Sequence, residues 1–390
     1  MYLAAYLIPW RFPKLLKGPG SINKLPDVIK SKGMVRGLIV TDGDLMRLGL
    51  LDSFIKGMKE KGVDVVIYQG VTPNPTEDQV EEALKLYLDK QCNHIIGFGG
   101  GSPIDCAKLV GARVVRPNKT IRQMSGVFKV LRTLPPLYVI PTTAGTGSEC
   151  TLGAVVIDAK NNEKYPVEDF SLFPNYAVLD PCLTLSLPKF VTATTGMDTL
   201  THAIEAYINI LQTKQTEQDA YTAVQLVFKS LLRAYNNGKD LEARTTMMDA
   251  AYTAGLAFTR AYVGYVHAIA HTLGGLYGVP HGYANAVLLP HVLEAYGPPA
   301  HRRLAELAGA IGITEGNDAE RAQKFIQAVR DLNAKLDIPE TISGKDKKYM
   351  INKNDIPLMV SRALSEANPL YPVPTILGAE ELTVIIKKVM

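Results

Sequence analysis

Asp198 and His202 stand four residues apart in the run GMDTLTHAIEAY (residues 196–207), a spacing that puts both side chains on one face of a helix. His267 and His271 repeat the interval in HAIAH, and His281 follows after a glycine-rich turn, residues 274–280. Any one of these histidines, taken alone, is more often a core or surface residue than a ligand. Together, a carboxylate and several imidazoles on Ala- and Gly-rich helices suit a borderline divalent ion such as Fe²⁺ or Zn²⁺. Spacing alone supplies one histidine too many and does not say which is left out. The pattern is not HExxH, because no Glu stands beside His267, and this sets metalloprotease chemistry aside.

A second kind of chemistry is written in two loops. Gly99-Gly100-Gly101-Ser102 follows an apolar run and precedes a helical one, so the backbone can approach a ligand where a helix directs its unpaired N–H groups. A pyrophosphate fits such a place; a tight turn capped by Ser102 or Asp105 fits it too. The motif differs from the G-x-G-x-x-G dinucleotide fingerprint. Pro141 to Glu149 (PTTAGTGSE) repeats the arrangement with hydroxyls, offering donors to a nucleotide or carboxamide, or forming a polar turn capped by Ser148. Asp42 ends an earlier apolar run. Its carboxylate can accept hydrogen bonds from a ribose and repel a 2′-phosphate, favouring NAD over NADP, or it can cap a helix.

These residues need elements to hold them. Residues 37–41, 63–68, 94–98, 137–140 and 177–179 read as strands, and residues 48–60, 76–88 and 104–115 as helices between them, a rhythm that predicts a parallel sheet covered by helices. From about residue 185 the texture turns helical, as in residues 216–235 and 241–257, and Pro181 and Pro188 bracket the junction. Two domains are expected, 1–184 and 185–390. Residues 342–356 are polar and Lys-rich and read as a surface excursion.

With 390 residues, 47% of them hydrophobic, the chain can bury a large core. Its net charge of +4 carries no dense basic run, which argues against nucleic-acid binding. The apolar opening is only about ten residues and is broken by Pro9, against roughly twenty needed to span a bilayer, so no membrane partner is expected. The four cysteines form no CxxC pair, and a cytoplasmic protein is the default.

GGGSPIDCAK (residues 99–108), PTTAGTGSE (141–149), GMDTLTHAIEAY (196–207) and HAIAHTLGGLYGVPHGYANAVLLP (267–290) together resemble the iron-containing alcohol dehydrogenase family. The likeness runs from about Pro19 to the C-terminus with the motifs in family order. It implies a dehydroquinate-synthase-like fold: an α/β nucleotide-binding domain, then an all-α metal-binding domain, with the active site in the cleft between, and a homodimer. By position, Asp198, His202, His267 and His281 match the metal ligands. His271 matches the histidine close to the nicotinamide and is not a ligand. Gly100, Gly101 and Ser102 match the pyrophosphate loop, and Thr142, Thr143 and Thr146 the cofactor-binding threonines. Asp42 matches the position that governs NAD versus NADP in some relatives, and Lys164 a lysine that contacts the cofactor. Asn74 and Phe258 fall at positions lining the nicotinamide or substrate pocket. Gly153 stands where diol-oxidising relatives carry Asn, which removes a polar handle, and Pro166 follows Lys164 where an uninterrupted strand is common.

The implied activity is hydride transfer between a nicotinamide cofactor and a small primary alcohol or its aldehyde, with a divalent metal. A dehydroquinate-synthase-like lyase shares the fold but calls for a cluster of Lys and Arg to hold a phosphate substrate, which the histidine segments lack. Another small diol or polyol dehydrogenase fits the same motifs. A metal-dependent hydrolase leaves the two loops unused, and a silent nucleotide-binding protein leaves the ligand set unused.

Overall fold

The computed structural model of the chain describes residues 10–344 and 349–390. They form two compact units that meet in sequence between Ser186 and Leu187. Residues 345–348, within the polar stretch noted above, lie outside the described part. No described helix is long and apolar enough to cross a membrane.

In chain order the first unit comprises β1 (Lys14–Lys17), α1 (Leu25–Ser31), β2 (Arg36–Val40), α2 (Gly43–Arg47), α3 (Asp52–Glu60), β3 (Asp64–Tyr68), α4 (Glu77–Asp89), β4 (His94–Gly99) and α5 (Gly101–Val115). It continues with β5 (Gly126–Val127), β6 (Leu137–Pro141), β7 (Gly153–Asp158), β8 (Glu163–Glu168) and β9 (Tyr176–Leu179). Six strands form one parallel sheet in the order β1-β9-β6-β4-β2-β3. Residues such as Leu38 and Ile95 on one face, and Ile39 and Ile96 on the other, are fully buried, as expected of a sheet covered on both sides. Helix α4 shows the local logic. Thr76 and Gln79 form a capping box at its start, and Val80, Ala83, Leu84 and Tyr87 form its buried stripe.

Two features depart from the sequence reading. The helix expected over 48–60 starts four residues late, as α3 at Asp52, and a short helix not foreseen, α2, ends at Arg47 before Gly49 takes a left-handed φ of +66°. The left-handed residue sends the Leu50 N–H back to the Leu45 carbonyl and stops the ladder. A second, three-stranded sheet, β5-β8-β7, was not foreseen. Its strand β8 reads EKYPVE, charged and interrupted by Pro166, which is paired opposite Val155.

The second unit is helical: α6 (Lys189–Ile208), α7 (Lys214–Asn236), α8 (Leu241–Ala261), α9 (Tyr265–Tyr277), α10 (His281–Tyr296), α11 (Pro298–Ala310), α12 (Asp318–Lys335), α13 (Ile356–Ala367) and α14 (Ala379–Lys388). Helix α6 is buried on nearly every side from Thr192 onward, with α7, α8 and α10 packed around it. Gly196 makes room for Leu231 of α7, whose Cδ1 would lie 2.2 Å from a Cβ there. Pro290 inside α10 has no N–H to give the Ala286 carbonyl; Asn333 Nδ2 of α12 donates to it instead, at 2.7 Å. The parallel sheet and the helical second unit are the two kinds of domain that the resemblance implies, in the implied order.

His94 opens β4 fully buried, its ring flat over Gly37, where any side chain would collide with Nε2. Nδ1 meets Asn93 Oδ1 at 2.9 Å, while Nε2 has no hydrogen-bond partner. Burial pushes its pKa down to about 4. A folded-state value below the unfolded one means that acid protonates the unfolded chain first, so this group's stability contribution is lost as pH falls from 6.5 toward 4. The loss reaches about 2 kcal/mol by pH 5. His94→Gln should remove that share of the decline, read as a smaller difference between urea midpoints at pH 7.5 and pH 5 than the native chain shows. Equal differences would mean that His94 is not the group responsible.

Candidate metal centre and cofactor loops

Four short-range devices deliver the histidine-and-carboxylate cluster. Asp198 and His202 lie one turn apart on α6, and His267 and His271 one turn apart on α9. Helix α9 stops at Gly278, left-handed at φ +66°, whose N–H returns to the Gly274 carbonyl. Val279 and Pro280 then place His281 as the first residue of α10. Gly282 lets that helix begin against α6, because a Cβ there would sit 2.2 Å from the Thr194 carbonyl oxygen and 3.2 Å from Asp198 Cβ.

Asp198, His202, His267 and His281 each offer one donor atom within 4.8 Å of all the others. Asp198 Oδ1 is 3.6 Å from His281 Nε2 and 3.9 Å from His267 Nε2. The edge of a tetrahedron with metal–ligand bonds of ~2.1 Å is about 3.4 Å, so these pairs are near that spacing and the widest pair would draw in. Asp198, His202 and His267 are almost wholly buried and His281 half-buried. Asn285, one turn along α10 from His281, points its Nδ2 at this spot: 2.7 Å from Asp198 Oδ1 and 3.2 Å from the Nε2 atoms of His267 and His281. Two N–H bonds facing three acceptors mark a place rich in lone pairs and poor in positive charge, and the donor set fits a divalent cation. The Phe258 ring stacks on His202 at 4.1 Å and 13°, an apolar wall beside the cluster.

His271 stacks on His281 at 5.2 Å but contributes no donor to the converging set. Sequence spacing could not separate it from His267; both are one turn apart on the same helix. Behind His267 lies a residue the sequence reading passed over. Glu205, fully buried, meets His267 Nδ1 with Oε2 at 2.5 Å and accepts the Val266 N–H with Oε1 at 2.9 Å. Burial pushes its carboxyl up to about 7, and backbone N–H groups work against that rise. Gly264 leaves space for it, since a Cβ would lie 2.8 Å from Oε1. A signal was present in HAIEAY: an acidic residue on an otherwise apolar, fully buried helix.

In the first unit, the ends of the adjacent strands β2, β4 and β6 carry Asp42, the Gly99–Gly101 turn and Thr142. Gly100 caps α5 with no side chain involved, so neither Ser102 nor Asp105 is the cap. Ser102 Oγ instead accepts the N–H of Asn74, which is left-handed at φ +59°, and Asn74 Oδ1 accepts from Lys164 Nζ at 2.9 Å. The two loops touch: a Cβ on Gly101 would lie 2.6 Å from Thr146 Cγ2, and one on Gly100 3.4 Å from Thr143 Oγ1. Thr142 is buried and its N–H donates to the Gly99 carbonyl. Below them, Asp105 accepts from Ser148 Oγ and the Val155 N–H. Buried Lys108 donates to the carbonyls of Thr151 and Gly153, and burial lowers its pKa to about 8. Gly153, the first residue of β7, thus lies in this unit with its carbonyl held by Lys108, whereas Phe258 lies in the helical unit beside His202. Asp42 Oδ1 accepts the Leu45 N–H at 2.9 Å and caps α2.

Glu205→Gln keeps an acceptor for Val266 but replaces the carboxylate behind His267. We expect zinc affinity to fall ~10- to 100-fold, measured by competition with a chromophoric chelator, with little change in the unfolding midpoint. Native zinc affinity in the variant would reduce Glu205 to a packing residue.

Two family models match the chain in succession: iron-containing alcohol dehydrogenase over residues 13–181, and the C-terminal region of the Fe-containing alcohol dehydrogenase family over residues 192–390. Alcohol dehydrogenase 4 of Saccharomyces cerevisiae (strain YJM789) is 37% identical over 373 residues, 95% of each chain. The 1,3-propanediol dehydrogenase of Citrobacter freundii is 36% identical over 355 residues, 90% of each. The crystal structure of a 1,3-propanediol oxidoreductase superposes with a TM-score of 0.93 at 34% identity, covering 98% of this chain and 100% of that one. An alcohol dehydrogenase from Oenococcus oeni gives 0.92 at 35%, with coverage of 98% and 100%. The chain belongs to the iron-containing alcohol dehydrogenase family and is a metal-dependent oxidoreductase of alcohols and aldehydes that uses a nicotinamide cofactor.

Proposed function

We propose that this enzyme interconverts a small primary alcohol and its aldehyde with NAD, holding Fe²⁺ or Zn²⁺ through Asp198, His202, His267 and His281. The observation that carries the reading is the convergence of those four donors, brought from three helices to within 4.8 Å of one another. When bound, the ion lowers the pKa of an alcohol oxygen or polarises a carbonyl, and the nicotinamide accepts or gives the hydride.

The chain's own residues do the rest. Gly100 and Gly101 present the α5 N-terminus to a pyrophosphate without side-chain obstruction. Thr142, Thr143 and Thr146 are the hydroxyl-bearing residues of the loop that would hold the cofactor, and the Lys164–Asn74–Ser102 chain holds the edge of the glycine loop. His271 takes or returns the alcohol proton. Phe258 keeps water from His202, and Gly153 leaves space without offering a polar handle. This favours largely apolar alcohols over diols, in keeping with relatives named NAD-dependent methanol and NADPH-dependent butanol dehydrogenase. Because relatives with both cofactor preferences occur, the choice of NAD rests on Asp42, whose carboxylate repels a 2′-phosphate. A homodimer belongs to the same reading, on the family resemblance.

Three measurements test it. His267→Ala should lose metal and turnover together; retention of both would remove His267 from the ligand set. Addition of a strong chelator should abolish reduced-nicotinamide absorbance changes with short alcohols, and Zn²⁺ or Fe²⁺ should restore them. Asp42→Ser keeps an oxygen to cap α2 but removes the charge, so the kcat/KM ratio for NADP over NAD should rise at least ~10-fold, equivalent to about 1.4 kcal/mol. An unchanged ratio would assign Asp42 to capping alone.

A further inference from the structure

His271 has a carboxylate of its own. Its Nδ1 lies 2.7 Å from Glu366 Oε1, on α13, and the same oxygen accepts the hydroxyl of Tyr371 at 2.7 Å. The group is enclosed: His271 is 7% and Tyr371 8% exposed, and the Glu366 side chain 14%. Its backbone is anchored independently. The Tyr371 N–H donates to the Ala367 carbonyl, and the hydroxyl of Tyr265, on the same helix as His271, sits between Asn368 Oδ1 at 3.1 Å and the Leu377 carbonyl at 3.2 Å, sharing its one hydrogen between them. The end of α13 is thereby pinned to the start of α9, and Glu366 is held where it is.

We propose that Glu366 is a positioning residue that fixes His271 in its Nδ1–H tautomer, leaving Nε2 as the proton-accepting nitrogen. The chemistry follows from donors and acceptors. A carboxylate oxygen accepts only, and Tyr371 already gives it one hydrogen, so the imidazole nitrogen facing it must carry the other. A neutral imidazole has one N–H, so Nε2 is left with its lone pair. Tyr371 narrows the positions open to Glu366 and hence to the ring. The proposal rests on the reading above that His271 moves the alcohol proton, because Nε2 is the atom that reading requires.

The test uses the full-length zinc-loaded protein with ¹⁵N-labelled histidine. Two-bond ¹H–¹⁵N spectra distinguish a protonated from an unprotonated ring nitrogen, and a His271→Gln variant assigns the signals. The native protein should show His271 with Nδ1 protonated and Nε2 bare; the opposite pattern overturns the proposal without any Glu366 variant. In Glu366→Ala the Nδ1–H signature should be lost and kcat should fall ~10- to 100-fold, with KM changed less than about threefold. Glu366→Asp should retain the signature and recover most of kcat. Persistence of the native signature in Glu366→Ala overturns the positioning role. If the tautomer changes as expected while Glu366→Ala and His271→Gln both turn over at the native rate, the clamp stands and the proton role of His271 falls.

Discussion

A carboxylate and three imidazoles that converge in an almost water-free interior set the terms for the whole helical unit. Their lone pairs converge on one spot, with Asn285 Nδ2 facing three of them, so the arrangement is stabilised by positive charge that meets it and by a backbone that cannot relax away. The first condition is met by the affinity of the donor set for a divalent ion. The second is met by packing: Gly282 puts α10 against the Thr194 carbonyl, and Gly196 seats α6 on Leu231. Fully buried Glu205 ties α6 to both His267 and the Val266 N–H. Each is a close approach that a larger residue would break, and each moves a ligand if it changes.

How much of this was legible depended on whether a feature is local. The Asp-x3-His pair, the apolar strand runs and the amphipathic α4 are local, and each is where the sequence places it. The four-residue spacing of His267 and His271 was legible too, yet silent about which binds metal, because both lie on one face of α9. Only a distance to Asp198 decides between them. Glu205 and Asn285 stood inside quoted motifs but read as helix residues, since their partners are 62 and 87 positions away. The β7–β8 hairpin was hidden by charge and by Pro166. The left-handed Gly49 delays to Asp52 a helix that apolar spacing alone starts at residue 48.

The first unit shows the same economy of polar atoms. Asp42 was open to two uses, a ribose acceptor or a helix cap, and the structure shows it capping α2 with one oxygen; a carboxylate has a second, so the uses are compatible. Ser102 and Asp105, both candidate caps, turn out to brace other segments instead. Lys108 braces the segment below the glycine and threonine loops. It buries a cation beside Asp105 and spends its hydrogen bonds on the carbonyls of Thr151 and Gly153. That ties α5, which begins at the glycine loop, to the chain emerging from the threonine loop.

The two histidines of α9 then differ in role without differing in design. Each turns Nδ1 to a carboxylate, His267 to Glu205 and His271 to Glu366, and so each directs Nε2 away from that carboxylate. Helical spacing makes them neighbours, and the carboxylates, one from α6 and one from α13, set their tautomers separately. What remains to distinguish them is what Nε2 meets. For His267 it is Asp198 and the converging ligands. His271 stands outside that set with its ring stacked on His281; in the function proposed above it is the base, and its lone pair is not among the four donors. In the proposed reaction the two nitrogens have different tasks, and one helix with two carboxylate partners provides both.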